Sequence, residues 1–171
     1  MIYLDNAATT KPSKAAVDAM IKAAECFGNP SSLHGLGIEA EKLINESKKN
    51  IADMLGVESK NILFTSGGTE ANNLAVFGVA AARNKIGTKI VTSKIEHPSV
   101  LEAFRKLEID GFNVEYLDVD SEGRVDLDML RNVLDDETIL ISVMHVNNET
   151  GVIQPIEEIR EIMLEKAPYA H

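Results

Sequence analysis

The chain has 171 residues, enough for one domain or one incomplete domain, and 44% of them are hydrophobic. A formal net charge of −10 argues against nucleic acid or an anionic membrane as partner, because no basic face could outweigh the acid. The single cysteine, Cys26, excludes an internal disulfide framework and suits a reducing, cytoplasmic setting, and no apolar run approaches the roughly 18 residues of a membrane span.

The N-terminal MIYLDNAATT has neither the basic nor the apolar region of a signal peptide. Ile2, Tyr3 and Leu4 predict a short strand running into a small, polar stretch over 5–10. Apolar Ala16, Met20, Ala23, Ala24 and Phe27 then recur at helical spacing behind the start signals Pro12 and Ser13. The loop GNPSSLHGLG over 28–37 carries His34. A longer amphipathic helix over 38–55 lines up Ala40, Leu43, Ile44, Ile51 and Leu55, and Gly56 ends it.

Residues 61–65 predict a buried strand, followed by the turn Ser66-Gly67-Gly68 and a helix opening at Thr69-Glu70. Glycines permit a tight turn and close approach of a ligand. The first turn of the helix offers unpaired N–H groups and the positive end of its dipole, an arrangement suited to phosphate. Ser66 and Thr69 are expected to add hydroxyl donors. No Lys follows the glycines, so this is not a nucleotide P-loop, and the spacing is not that of a dinucleotide fingerprint. An ordinary, well-capped turn between a strand and a helix is the competing reading.

A second strand is expected over 89–92, ending at Glu96-His97, with Pro98 opening another helix at its first position. Residues 112–117 alternate like a strand, 126–134 read as a short helix, and 138–143 form a continuous apolar strand, as in a sheet covered on both faces. A polar run over 145–151 follows, and a last helix runs from Pro155 to about Lys166. The order predicts an α/β fold, a mostly parallel sheet with helices on both faces. In such sheets ligands sit at the carboxyl ends of the strands. Three polar clusters are expected there: the glycine turn, Glu96-His97, and Asn147-Asn148-Glu149.

Five segments, YLDNAATT (3–10), GNPSSLHGLG (28–37), FTSGGTEANNLA (64–75), EHPSVL (96–101) and MHVNNETG (144–151), resemble those of the cysteine desulfurases in both order and spacing. These are pyridoxal-phosphate (PLP) enzymes of the class V aminotransferase group, fold type I, which supply sulfur for iron–sulfur clusters. The resemblance implies that residues 1–171 are the N-terminal part of the PLP-binding large domain. It places the pyridinium-pairing Asp, the Schiff-base Lys, the mobile catalytic Cys and the C-terminal small domain further along. It implies that Gly68 and Thr69 hold the cofactor phosphate, that His97 stacks on the pyridine and serves catalysis, and that Asn148 bonds the phenolate oxygen. No metal is implied. L-cysteine as substrate, a sulfur acceptor or scaffold protein and a homodimer follow from the same likeness. A split or non-catalytic assembly fragment, or a selenocysteine-directed relative, remains an alternative.

Among the other residues, Asn147 and Glu149 are expected to support their loop, and Asp5 and Asn6 to brace the pocket entrance. His34 is expected near the site or on a plain surface, His145 behind the site residues or in packing, and Lys94 as a solvated charge. Cys26 reads as a structural thiol, since nothing nearby is cationic. The resemblance implies a further strand beginning around 169–171, and a merely frayed His171 is the competing reading.

Overall fold

The computed structural model describes residues 2–171, which divide into two compact units, one ending at Phe64 and the other spanning Thr65–His171. The first holds α1 (Lys14–Glu25), α2 (Gly35–Leu55) and a single 3-10 turn at Ser59–Asn61. Ser13 starts α1 by accepting the Ala16 N–H at 3.2 Å, as its side-chain oxygen allows. His34 caps α2 in the same way, its Nδ1 accepting from the Gly37 N–H. Gly56 closes α2 in the left-handed conformation, φ 67°.

Two expected strands are missing. Residues 2–4 take no regular structure, and neither does 62–65 beyond the 3-10 turn. An apolar run becomes a strand only where a neighbour takes up its ladder hydrogen bonds. These two runs have no such neighbour, and Leu4 and Leu63 stay exposed. The glycine turn therefore does not cap a strand of the sheet.

This first unit buries little. No residue of α1 is buried, Leu33 is 96% exposed, Met54 88% and Phe27 79%. Apolar surface on that scale seeks cover. The isolated chain is accordingly expected to self-associate or to need a partner, and a clean monomer by light scattering at high concentration would contradict this.

The second unit carries the sheet: α3 (Gly68–Arg83), β1 (Lys89–Ser93), α4 (Pro98–Ile109), β2 (Asn113–Leu117), α5 (Leu127–Val133), β3 (Thr138–Ser142) and α6 (Ile156–Lys166). The strand order is β2-β1-β3, parallel throughout, with Ile90 opposite Val114 on one side and Leu140 on the other. Side chains alternate across β1. Ile90 joins Val76, Ala80, Val100 and Phe104 of α3 and α4, whereas Val91 joins Leu130, Ile159 and Ile162 of α5 and α6. Both faces are thus covered by helices, the arrangement that parallel sheets require.

The chain's last residue is docked rather than frayed. His171 donates its N–H to the Ile139 carbonyl at 3.2 Å and accepts from the Ile141 N–H at 2.8 Å. That straddling pattern is parallel pairing on the β3 edge away from β1. The Arg83 guanidinium holds its ring.

Candidate functional site

The connections set where the site falls. From β1 the chain leaves through α4 toward β2, and from β3 it leaves through α6 toward the opposite edge, where His171 pairs. The carboxyl ends of β1 and β3 therefore part in opposite directions, leaving a crevice between neighbouring strands. A hollow of about 340 Å³ lies there, lined by Lys94, Glu96, His97, Asn147, Asn148 and Glu149 among others.

Two buried side chains tie its walls together. Glu96 Oε1 accepts the Ser93 hydroxyl at 2.9 Å and the Met144 N–H at 2.6 Å, joining the end of β1 to the end of β3. Burial pushes its carboxyl above the usual value, against the pull of the Met144 and Ser93 bonds. Asn147 works in the opposite sense across the same gap, donating from Nδ2 to the Ile95 carbonyl at 3.2 Å. Its Oδ1 accepts from the N–H groups of Glu149 and Thr150, the local turn that short amides favour. Asn147 thus supports the loop, as expected, and the neighbouring Asn148 is exposed. The sequence places Glu96 in the cluster at the end of β1 but assigns it no role; the available signal was a serine three residues earlier, within reach of its carboxylate. His145 is exposed rather than packed.

His97 is the N-cap of α4. Its Nδ1 accepts the Ser99 N–H at 3.1 Å, and Pro98 occupies the first turn. His97 also lines a second hollow of about 460 Å³, shared with Thr69, Asn73, Phe77 and Glu102. His97 and Pro98 are common to both hollows. Thr69 therefore meets His97 in one hollow, and Asn148 meets it in the other.

At the start of α3 the first helical bond is Ala71 N–H to the Gly67 carbonyl, so the amides of Gly68, Thr69 and Glu70 precede the helix ladder. Gly67 is extended, φ 167°, a conformation open to any residue. A Cβ added at Gly67 or Gly68 would meet no protein atom within 4 Å. The glycines are therefore not demanded by the fold itself, and the space above them is open. One expected donor is lost. Glu70 takes both the Ser66 N–H and the Ser66 hydroxyl, each at 2.6 Å, and these bonds hold its carboxyl below the usual value. Lys94 is engaged by Asp118.

Donor amides beside an exposed threonine, and an imidazole that shares a hollow with an exposed amide, suit a ligand with an anionic group attached to a flat ring. Among the described residues no cluster could hold a metal ion.

The comparisons with known proteins give the family. The family model for class V aminotransferases matches residues 2–169, and the chain belongs to this family of PLP-dependent enzymes. Its relatives include "Putative cysteine desulfurase IscS 1" of Bacillus subtilis, 48% identical over 99% of this chain and 45% of the relative. "Cysteine desulfurase IscS" of Methanosarcina thermophila is 50% identical over 99% of this chain and 42% of the relative. Among solved structures, a "NIFS-LIKE PROTEIN" superposes with a TM-score of 0.95 at 40% identity, over 99% of this chain and 48% of that one. The chain spans less than half the length of the curated relatives it matches.

Proposed function

We propose that the chain is the N-terminal part of the PLP-binding large domain of a cysteine desulfurase, acting on L-cysteine and passing its sulfur to an acceptor protein in iron–sulfur cluster assembly. The observation that carries this is His97, which lines both the hollow of Thr69 and the hollow of Asn148. The amides of Gly68 and Thr69, with the Thr69 hydroxyl, would hold the phosphate at the positive end of α3. The His97 ring would cover the pyridine face. The Asn148 amide would donate to the phenolate oxygen. When bound, PLP supplies an electron sink for the substrate carbon. The chain's own residues would orient the ring so that this sink faces the substrate.

The covalent part of the chemistry is assigned to groups outside these 171 residues. Lys94 is paired with Asp118 and matches no Schiff-base position. Cys26, at the C-cap of α1, matches no nucleophile position. A homodimer in the cytoplasm completes the reading by family likeness. A split enzyme, in which a second polypeptide supplies the rest, is the alternative that the exposed apolar surface of residues 1–64 favours.

PLP titrated into the chain and followed by its phosphorus resonance is expected to bind reversibly, leaving no absorbance band after gel filtration. His97→Ala and Asn148→Ala should each weaken binding about tenfold, the effect of roughly one charge-assisted hydrogen bond or stacking contact. Equal affinity in wild type and both variants would overturn the assignment, and a retained band would place the covalent partner on a lysine of this chain, Lys94 being the first to substitute.

A further inference from the structure

A chain of hydrogen bonds behind His97 has no part in the reading above. Asn72, on α3, places its Nδ2 2.8 Å from the Ser99 hydroxyl on α4. That hydroxyl lies 2.8 Å from His97 Nδ1, and the Ser99 N–H points at the same nitrogen from 3.1 Å. The direction of the whole chain follows from one member. A backbone N–H can only donate, so Nδ1 must offer its lone pair. The Ser99 hydroxyl, facing that lone pair, must then turn its proton toward the ring. Its oxygen is left to accept, which requires the amide nitrogen of Asn72, not its oxygen, to face it. Each group acts in the sense its chemistry permits, the single Nδ1 lone pair being shared between the Ser99 hydroxyl and the Ser99 N–H, and the ring proton is left on Nε2.

We propose that Asn72 and Ser99 are positioning residues that lock His97 into the Nε2–H tautomer and fix its ring plane. Ser99 does this from α4, and Asn72 braces it from α3, the helix whose first turn carries Gly68 and Thr69, so the ring is tied to the element that forms the anion cup. A consequence for the site follows. His97 presents a face and an N–H donor to a ligand, while its basic lone pair is turned away and occupied. A proton-accepting role at Nδ1 would require the Ser99 N–H to be displaced first. The function assigned to His97 depends on the reading in the preceding section, whereas the clamp can be tested without any ligand.

The test is ring-nitrogen NMR of the ligand-free chain, labelled with 15N-histidine, at about pH 8.5, above the ordinary imidazole value. The His97 signals are assigned by their loss in His97→Gln. Wild type should show the widely split pair of shifts of a single Nε2–H tautomer. Ser99→Ala should draw the two shifts together as the second tautomer appears, and Ser99→Thr, which keeps the hydroxyl, should restore the wild-type pattern. Asn72→Asp should act most strongly. Its carboxylate accepts where the amide donated, pulls the Ser99 proton away from the ring, and moves population toward Nδ1–H. Averaged shifts in wild type, or an unchanged pattern in both Ser99→Ala and Asn72→Asp, would overturn the proposal. Failure of the PLP titration with the tautomer intact would remove the cofactor reading and leave the clamp standing.

Discussion

Phe104→Ala is expected to unfold the second unit under conditions where the wild-type chain is folded. Phe104 is fully buried, and it sits where α4 meets α3 and the sheet. Its neighbours include Val76 and Ala80 of α3, Ile90 of β1 and Ile139 of β3. Truncating a buried phenylalanine costs about 3–5 kcal/mol, through lost transfer energy and the cavity left behind. Whole domains are stable by only about 5–15 kcal/mol, and this unit has a sheet of three strands with which to reach that range. Urea denaturation followed by far-UV circular dichroism measures the loss. A midpoint within error of wild type would mean that the layer of α3 and α4 does not hold the sheet as described. Phe104→Leu, which keeps most of the volume, should recover most of the stability.

What was legible beforehand follows a physical division. The strands that pair, β1, β2 and β3, were each read from continuous or alternating apolar runs, and all lie in a sheet covered by helices on both faces. Ser13 and Pro98 marked helix starts, and Gly56 a helix end, because capping is decided within a few residues. The runs at 2–4 and 61–65 look the same as strands locally, but nothing lies alongside them to complete a ladder. Pairing is a long-range property, and no pattern within five residues contains it. The same limit applies to the site. His97 and Asn148 could be placed at strand ends from the order of elements alone. The Asn72–Ser99 bond spans 27 positions and the Glu96–Met144 bond 48, and neither pairing leaves a local signature. Ser66 shows a competing local choice, since an acidic residue in the first turn of α3 captured the hydroxyl expected to face a ligand, together with the Ser66 N–H.

Glu96 should make the chain's stability fall as pH rises. Its carboxyl is raised above its ordinary value of 4.5, chiefly by burial, with the Met144 and Ser93 bonds opposing. A carboxyl raised on folding binds its proton more tightly in the folded state. Its contribution is therefore fully present below the unfolded value and is lost as pH rises through the higher folded value. Glu96→Gln keeps an oxygen for the Met144 N–H and the Ser93 hydroxyl but carries no charge to desolvate. The melting-temperature advantage of Glu96→Gln over wild type should thus grow from about pH 4.5 toward neutrality, and an advantage that shrinks with pH would reverse the sign argued here. Glu96→Ala is different in kind. It strands the Met144 N–H and the Ser93 hydroxyl without a partner and should cost about 1–3 kcal/mol at any pH. Because Glu96 and Asn147 are the two ties between the loop of His97 and the loop of Asn148, the loss should also appear as faster amide exchange at 144–150. Exchange unchanged there, with stability lowered, would mean that Asn147 alone holds the two walls of the site in register.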